Sequence, residues 1–378
     1  MDFALSEEQQ AIVDLATQIF TDMCAPERLR EVEAGSDWFH RDLWSELAKA
    51  GLLGSALPES VGGGGFGYLE ACLLLERQGR SVASVPLLST LIASLTIAEF
   101  GSEAQQAAWL PGVVEGDTVL TIALSEIGAS PRDPQLGAVP ERGDWVLSGA
   151  KTTVPAVHLA AAVVVPARDP QGNVRLFVVP TDAAGLSAER QDTFNHEPQF
   201  ALSFDGVVVG ADAELTGTGT SSIEGQAPID WIVDRAIVAL CAQATGVSDT
   251  GMHITAGYVG ERKQFDRAIG TFQAVGHRMA DCYVDNEAIR LSMLLAASLL
   301  NAGAEADKEV AVAKYWASYS GSRVGHADLH LHGGISIDLD YPIHRYFLWS
   351  KQIEFQLGAA GPQLARIGAF LADDPVPA

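Results

Sequence analysis

The sequence predicts a mainly α-helical protein with one small β-domain inserted between two helical regions. Three observations carry this: apolar residues recur at helical spacing through residues 1–118, the texture changes to short β-branched runs between Thr118 and Glu214, and long helical periodicity returns from Pro228. With 378 residues, 48% of them hydrophobic, the chain is long enough to bury a large core and divide into domains. The expected division is a helical domain at 1–118, a β-domain at 119–226, a C-terminal four-helix bundle at 227–372 and a frayed tail at 373–378. The crevice where such layers meet is the default ligand site.

The first region opens with Ser6 and Gln9 in a capping-box pattern, followed by Ile12, Ala16, Ile19 and Phe20 on one helical face. Further helices are expected over Asp42–Ala50, from Tyr68 to Gly79 after a run of four glycines, and after Pro86. The β-region reads as strands at Val119–Leu124, Trp145–Leu147, Ala162–Val165, Leu176–Val179 and Ala201–Phe204, separated by turn residues. Thr216–Gln226 is rich in Gly, Ser and Thr and reads as a loop, after which Pro228 suits a helix first turn. Helices are then expected over Ile229–Glu261, Thr271–Asn301, Lys308–Leu331 and Ser350–Leu371, with no internal repeat.

Charge excludes whole classes of partner. Forty-eight Asp and Glu against 24 Lys and Arg give a formal charge of -24, which repels nucleic-acid backbones and anionic lipid faces. An anionic ligand would have to be met by helix N-termini or a few placed arginines. The four cysteines, Cys24, Cys72, Cys241 and Cys282, are far apart and form no CxxC pair, which suits free thiols in a reducing compartment. The acid-bearing N-terminus resembles neither a signal nor a transit peptide, and no apolar run reaches spanning length, so a cytoplasmic location is expected.

Two stretches hold the candidate chemistry. In Arg262-Lys-Gln-Phe265 through Phe272-Gln273, His277 and Ala280-Asp281, an arginine at a helix end, a turn and a glutamine opening the next helix would offer a planar fork and an amide to a pyrophosphate or a ribose. A solvated helix-end charge and a surface amide are the plain alternative. In Leu329-His330-Leu331-His332-Gly333-Gly334 the glycines permit close backbone approach, while a helix cap with buried histidines is the alternative. His330 and His332 do not share a helix face, and zinc would need ligands absent at standard spacing, so no metal is expected.

Together these residues resemble the acyl-CoA dehydrogenase signature RxxFGxxIxxFQxxxHxxAD, and Gly333-Gly334 with Tyr341-Pro342 resembles that family's GGxGxxxxYP motif. The resemblance extends to the helix, strand, helix domain order. It implies an FAD-dependent oxidoreductase acting on an acyl-CoA, in which a carboxylate takes the α-proton and the β-hydrogen leaves as hydride to the flavin. It further implies that Arg262, Phe265, Gln273, His330, Gly333 and Gly334 contact the adenosine and pyrophosphate of a neighbour's FAD, His330 replacing the usual glutamine.

The chain departs from the family where the chemistry should be. Counting from Tyr341 puts the usual catalytic glutamate on Leu357, and counting back from Phe265 puts the alternative one on Ala236. Neither can take a proton; Glu354 and Asp234 are the nearest carboxylates, displaced by two or three residues. The family's TEPGAGSD segment reads Ser125-Glu126-Ile127-Gly128-Ala129-Ser130-Pro131-Arg132, and its WIT segment reads Thr153-Val154-Pro155, losing hydroxyl, N–H and stacking surface. This one-sided loss, with the HLHGG and YPxHRY patterns, resembles the base-lacking subunit of the heterotetrameric acyl-CoA dehydrogenases that actinobacteria use on steroid side chains. The implied partner is a second acyl-CoA dehydrogenase chain that supplies base and ring pocket. Two alternatives stand beside it: a self-sufficient homo-oligomer using a displaced carboxylate, and a flavin-free scaffold.

Overall fold

The computed structural model describes residues 3–217, 219 and 221–373. The expected fraying of the tail therefore lies outside the described residues from 374 on, as do positions 218 and 220 of the expected loop. Six helices come first: α1 (Glu7–Met23), α2 (Pro26–Ala34), α3 (Arg41–Lys49), α4 (Tyr68–Ser81), α5 (Leu87–Phe100) and α6 (Glu103–Glu115). Seven strands follow: β1 (Val119–Ile122), β2 (Gly137–Glu141), β3 (Asp144–Pro155), β4 (Ala160–Arg168), β5 (Val174–Pro180), β6 (Leu186–Gln191) and β7 (Gln199–Val209). The chain then runs through α7 (Ala227–Glu261), a tight hairpin β8 (Lys263–Gln264) and β9 (Arg267–Ala268), α8 (Gln273–Asn301), α9 (Asp307–His332), α10 (Ile343–Phe355) and α11 (Ala360–Asp373). The fold is mostly helical with a central β-sheet domain and C-terminal helices, as the texture predicts.

The described residues form two compact units, one taking residues up to 30, 68–83 and 237 onward, the other 31–67 and 84–236. In the second, the strands form one sheet in the order β1-β4-β2-β3-β7-β6, with β5 paired to β4. Alternation along β7 sends Leu202 and Phe204 into a core with Leu147, Val163 and Phe177, while Ser203 and Asp205 face outward. The β3–β7 ladder slips between Lys151 and Val154. That bulge throws Thr153 into the left-handed region at φ 50.

In the first unit, α1 carries the expected capping box: the Gln9 N–H donates to Ser6 Oγ at 3.1 Å and the Ser6 N–H to Gln9 Oε1 at 3.0 Å. Helices α4 and α7 cross in backbone contact. A Cβ on Gly79 would stand 2.2 Å from the Gln243 carbonyl oxygen, and one on Gly246 would stand 2.0 Å from that of Glu76. Only glycine fits either position.

One expected helix is two. Instead of running through Ser350–Leu371, the chain breaks at residues 356–359 between α10 and α11, where Leu357 has φ 54 and Gly358 φ 99. Lys314, fully buried on α9, donates to the carbonyl oxygen of Ile353 at 2.5 Å and to Ser318 Oγ at 3.1 Å, so a cation takes up a carbonyl at the end of α10. Burial pushes its pKa down to about 8.

Candidate functional site

The positions where a base is expected hold none. Leu357 occupies the turn after α10, and Ala236, on α7, is only 1% exposed. The displaced candidates are both engaged. Glu354 Oε2 lies 2.5 Å from Lys351 Nζ, one turn back on α10. Asp234 is gripped by Arg132, whose other terminal nitrogen lies 2.9 Å from Asp230 one turn earlier on α7. Burial lowers the Arg132 pKa, but the two aspartates outweigh it and hold the guanidinium above its ordinary value. The Gln226 amide also donates to the Arg132 carbonyl, so the loop before β2 is stapled to the start of α7. A carboxylate that must lift a proton from carbon needs a dry, unpaired setting; neither acid has one.

The same loop turns Glu126 inward. Lys151, essentially unexposed on β3, places Nζ 2.6 Å from Glu126 Oε1, and the Glu126 carboxylate also accepts the N–H of Gln135 at 2.8 Å and of Leu136 at 3.2 Å. Burial lowers the Lys151 pKa and Glu126 opposes that shift. The Thr153 N–H is spent on Gln191 Oε1 at 2.9 Å. A cleft of about 430 Å³ lies here, lined by residues such as Glu126, Lys151, Thr152, Gln191 and Ser203, and no aromatic side chain is among the described residues lining it. The described lining thus offers an isoalloxazine no aromatic stacking face, and Pro131 and Pro155 in the adjoining segments carry no N–H to donate.

The other predicted residues come together in the first unit. Arg262 ends α7, and the Ile269 N–H donates to its carbonyl oxygen at 2.8 Å, closing the β8–β9 hairpin. At the hairpin tip Phe265 and Asp266 both take positive φ, 54 and 62, and Phe265 is 86% exposed. Phe265 meets Phe272 edge-on at 6.1 Å, and Gln273 then opens α8. Arg262, Gln273, His330, Gly333 and Gly334 are all exposed. Gly333 has φ 64, and a Cβ on either glycine would meet nothing within 4 Å, so a ligand can come close there; the Gly333 N–H donates to the Leu329 carbonyl and its own carbonyl accepts from Ser336 Oγ at 2.7 Å.

His332 is buried and ties these stretches together. Its Nδ1 lies 2.7 Å from the Asp328 carbonyl oxygen and its Nε2 3.0 Å from Tyr341 Oη. Its ring stacks on Tyr258 at 4.4 Å, one turn before Arg262. An exposed guanidinium fork, an amide at a helix N-terminus and a bare Gly-Gly backbone fit the nucleotide end of a dinucleotide. The Arg132 staple, the Lys151–Glu126 pair and the His332 stack join residues distant in the chain and are not legible in the sequence. The signals available were a lone arginine in a loop, a lysine in an apolar strand and an aromatic residue one turn before Arg262.

Two family models match the helical regions: the acyl-CoA dehydrogenase N-terminal domain over residues 6–117 and the C-terminal domain over residues 231–372. Acyl-CoA dehydrogenase FadE27 of Mycobacterium tuberculosis is 38% identical over 99% of this chain and 100% of its own length. FadE28 of the same organism is 31% identical over 98% of each. Among solved structures, a variant of the Tcur3481-Tcur3483 steroid ACAD is 46% identical with a TM-score of 0.90, covering 97% of this chain and 98% of that one. The ChsE4-ChsE5 complex from Mycobacterium tuberculosis gives 38% identity and a TM-score of 0.93 over 100% of both chains. No described helix is long and apolar enough to cross a membrane. Two spaced motifs, the order of helices and strands, and relatives matched along nearly their full length agree: this chain belongs to the acyl-CoA dehydrogenase family, oxidoreductases that act on acyl-CoA thioesters.

Proposed function

We propose that this chain is the base-lacking subunit of a hetero-oligomeric acyl-CoA dehydrogenase that desaturates a thioester carrying a steroid side chain. It contributes the adenosine and pyrophosphate side of an FAD site to a partner chain that supplies the base and the ring pocket. FAD, the cofactor of this family, accepts the hydride when bound. Here Arg262 would present two N–H groups to the pyrophosphate, and Gln273 and the N-terminus of α8 would add donors. Gly333 and Gly334 would let the nucleotide approach the main chain, with His330 at the adenine edge and Phe265 reaching toward the partner.

The observation that carries the reading is the asymmetry between the two half-sites. Asp234 is consumed by Arg132 and the expected base position holds Leu357, while Arg262, Gln273 and the Gly-Gly turn stay exposed. The structural relatives described as a steroid ACAD pair and as a two-chain complex support the partner and the substrate class. Four free cysteines, three of them buried, suit a reducing cytoplasm. The three-domain division at 118 and 226 remains our reading of the texture.

Co-expression with a partner acyl-CoA dehydrogenase chain, followed by a flavin count, tests this. One FAD per two chains is expected. One FAD per chain, or a yellow and active protein when this chain is purified alone, overturns it.

A further inference from the structure

We propose that His332 is a positioning residue that holds the Arg262 end of α7 and the Gly333–Gly334 turn at one fixed spacing, with Tyr258 and Tyr341 as its partners. The inference rests on the reading that these two stretches bind the nucleotide end of FAD. A carbonyl oxygen can only accept, so the 2.7 Å contact with the Asp328 carbonyl places the proton on Nδ1 and leaves Nε2 as an acceptor. The Tyr341 O–H, 3.0 Å away, donates to it. Tyr258 lies against the imidazole at 4.4 Å with the planes 25° apart, and its O–H donates to the His332 carbonyl oxygen at 3.3 Å.

One ring therefore serves three elements. It bonds back to the last turn of α9 just before Gly333, it anchors the Tyr341 segment, and it gives a stacking face to the residue one turn before Arg262. A shift of the imidazole moves both nucleotide-binding stretches. Burial holds the imidazole neutral, keeping its pKa below the ordinary value against the opposing hydrogen bond to Asp328. The other titratable groups around this cluster are Asp328 on α9, Tyr258 and Glu261 on α7, Cys282 on α8, and Tyr341 itself. Acid would put an imidazolium into a buried aromatic stack and force the Tyr341 hydroxyl to reverse its role.

The test uses the full chain co-purified with its partner chain, with FAD affinity read by flavin fluorescence between pH 5 and 8. Tyr341→Phe and His332→Phe are each expected to weaken FAD about fivefold to tenfold at neutral pH, the loss of one or two hydrogen bonds. His332→Gln keeps an acceptor toward Tyr341 but does not titrate. It is expected to restore affinity to within about twofold and to abolish the acid-side weakening of the parent. Tyr341→Phe deletes a single oxygen and decides the matter if the His332 variants fail to fold. Parental affinity in Tyr341→Phe, or an acid-side weakening that persists in His332→Gln, overturns the inference. Arg262→Ala separates this from the underlying reading: if it leaves FAD binding intact the nucleotide half-site itself fails, and if it alone weakens FAD only the role of His332 fails.

Discussion

The loop between β1 and β2 and the hairpin after α7 both resemble motifs of one family, and their polar groups are disposed in opposite ways. In the loop, Glu126 is taken by Lys151 and two backbone N–H groups, Arg132 by two aspartates, and the nearby Thr153 N–H by Gln191. At the hairpin and the end of α9, Arg262, Gln273, Gly333 and Gly334 are exposed, while His332, Tyr258 and Tyr341 beneath them bond to one another and the Gly333 N–H and carbonyl are taken by Leu329 and Ser336. Polar groups paired with each other hold a fold together; polar groups exposed above a paired layer are available to a ligand.

This contrast can be broken at its inward-turned side with the largest effect. Lys151→Met strands the Glu126 carboxylate in the β-domain and should cost about 3–5 kcal/mol, whereas adding Glu126→Gln should recover much of that. Thermal unfolding of the single and double variants checks it, and equal losses in both would mean that Lys151 acts by packing alone.

On the outward side, the supporting layer carries its own pH signature. Burial raises the Asp328 carboxyl to about 7 from an ordinary 3.8, against the hydrogen bond from Thr255. Between those values the folded chain keeps a proton that the unfolded chain has lost. The group's stabilising contribution is thus complete below about pH 4 and gone once pH has risen through about 7. Asp328→Asn carries no such dependence, so its stability relative to the parent should improve from pH 4.5 to pH 8 by roughly 2–4 kcal/mol. Denaturant melts at the two pH values measure this, and a constant difference would show that Asp328 ionises freely.

The smallest expected effect sharpens the comparison most. Asp234→Asn and Glu354→Gln should each leave the desaturation rate of the assembled enzyme within about twofold of the parent, against the 100-fold or greater loss expected on removing a true general base. Steady-state rates with a saturating acyl-CoA decide it.

What the sequence discloses and what it hides follow one physical line. Helices with sharp caps were legible: Ser6 with Gln9 sits on α1 as expected, because a capping box is a local interaction. Strands β2 and β6 were not, since Gly-Ala-Val-Pro-Glu and Leu-Ser-Ala-Glu-Arg-Gln lack β-branched runs and owe their conformation to the neighbours that pair with them. The break at Leu357 escaped because the lysine that caps the end of α10 lies 39 residues earlier in sequence. The hairpin residues lie within seven residues of their partners and could be read as a motif. Arg132 and Asp234, 102 residues apart, and Tyr258 and His332, 74 apart, meet only through tertiary structure.

The turn at Leu357 bears on how a backbone bend can be fixed apart from the side chain it carries. A leucine held at φ 54 costs about 1–2 kcal/mol of backbone strain, and a glutamate would cost much the same. Lys314 beneath the end of α10, Gly358 beside it and the Gln363 amide on the Leu357 carbonyl hold the bend without reference to the side chain it displays. The bend and the side chain it displays are thus set by different parts of the molecule, so a residue of other chemistry could stand at position 357 without rebuilding the backbone beneath it.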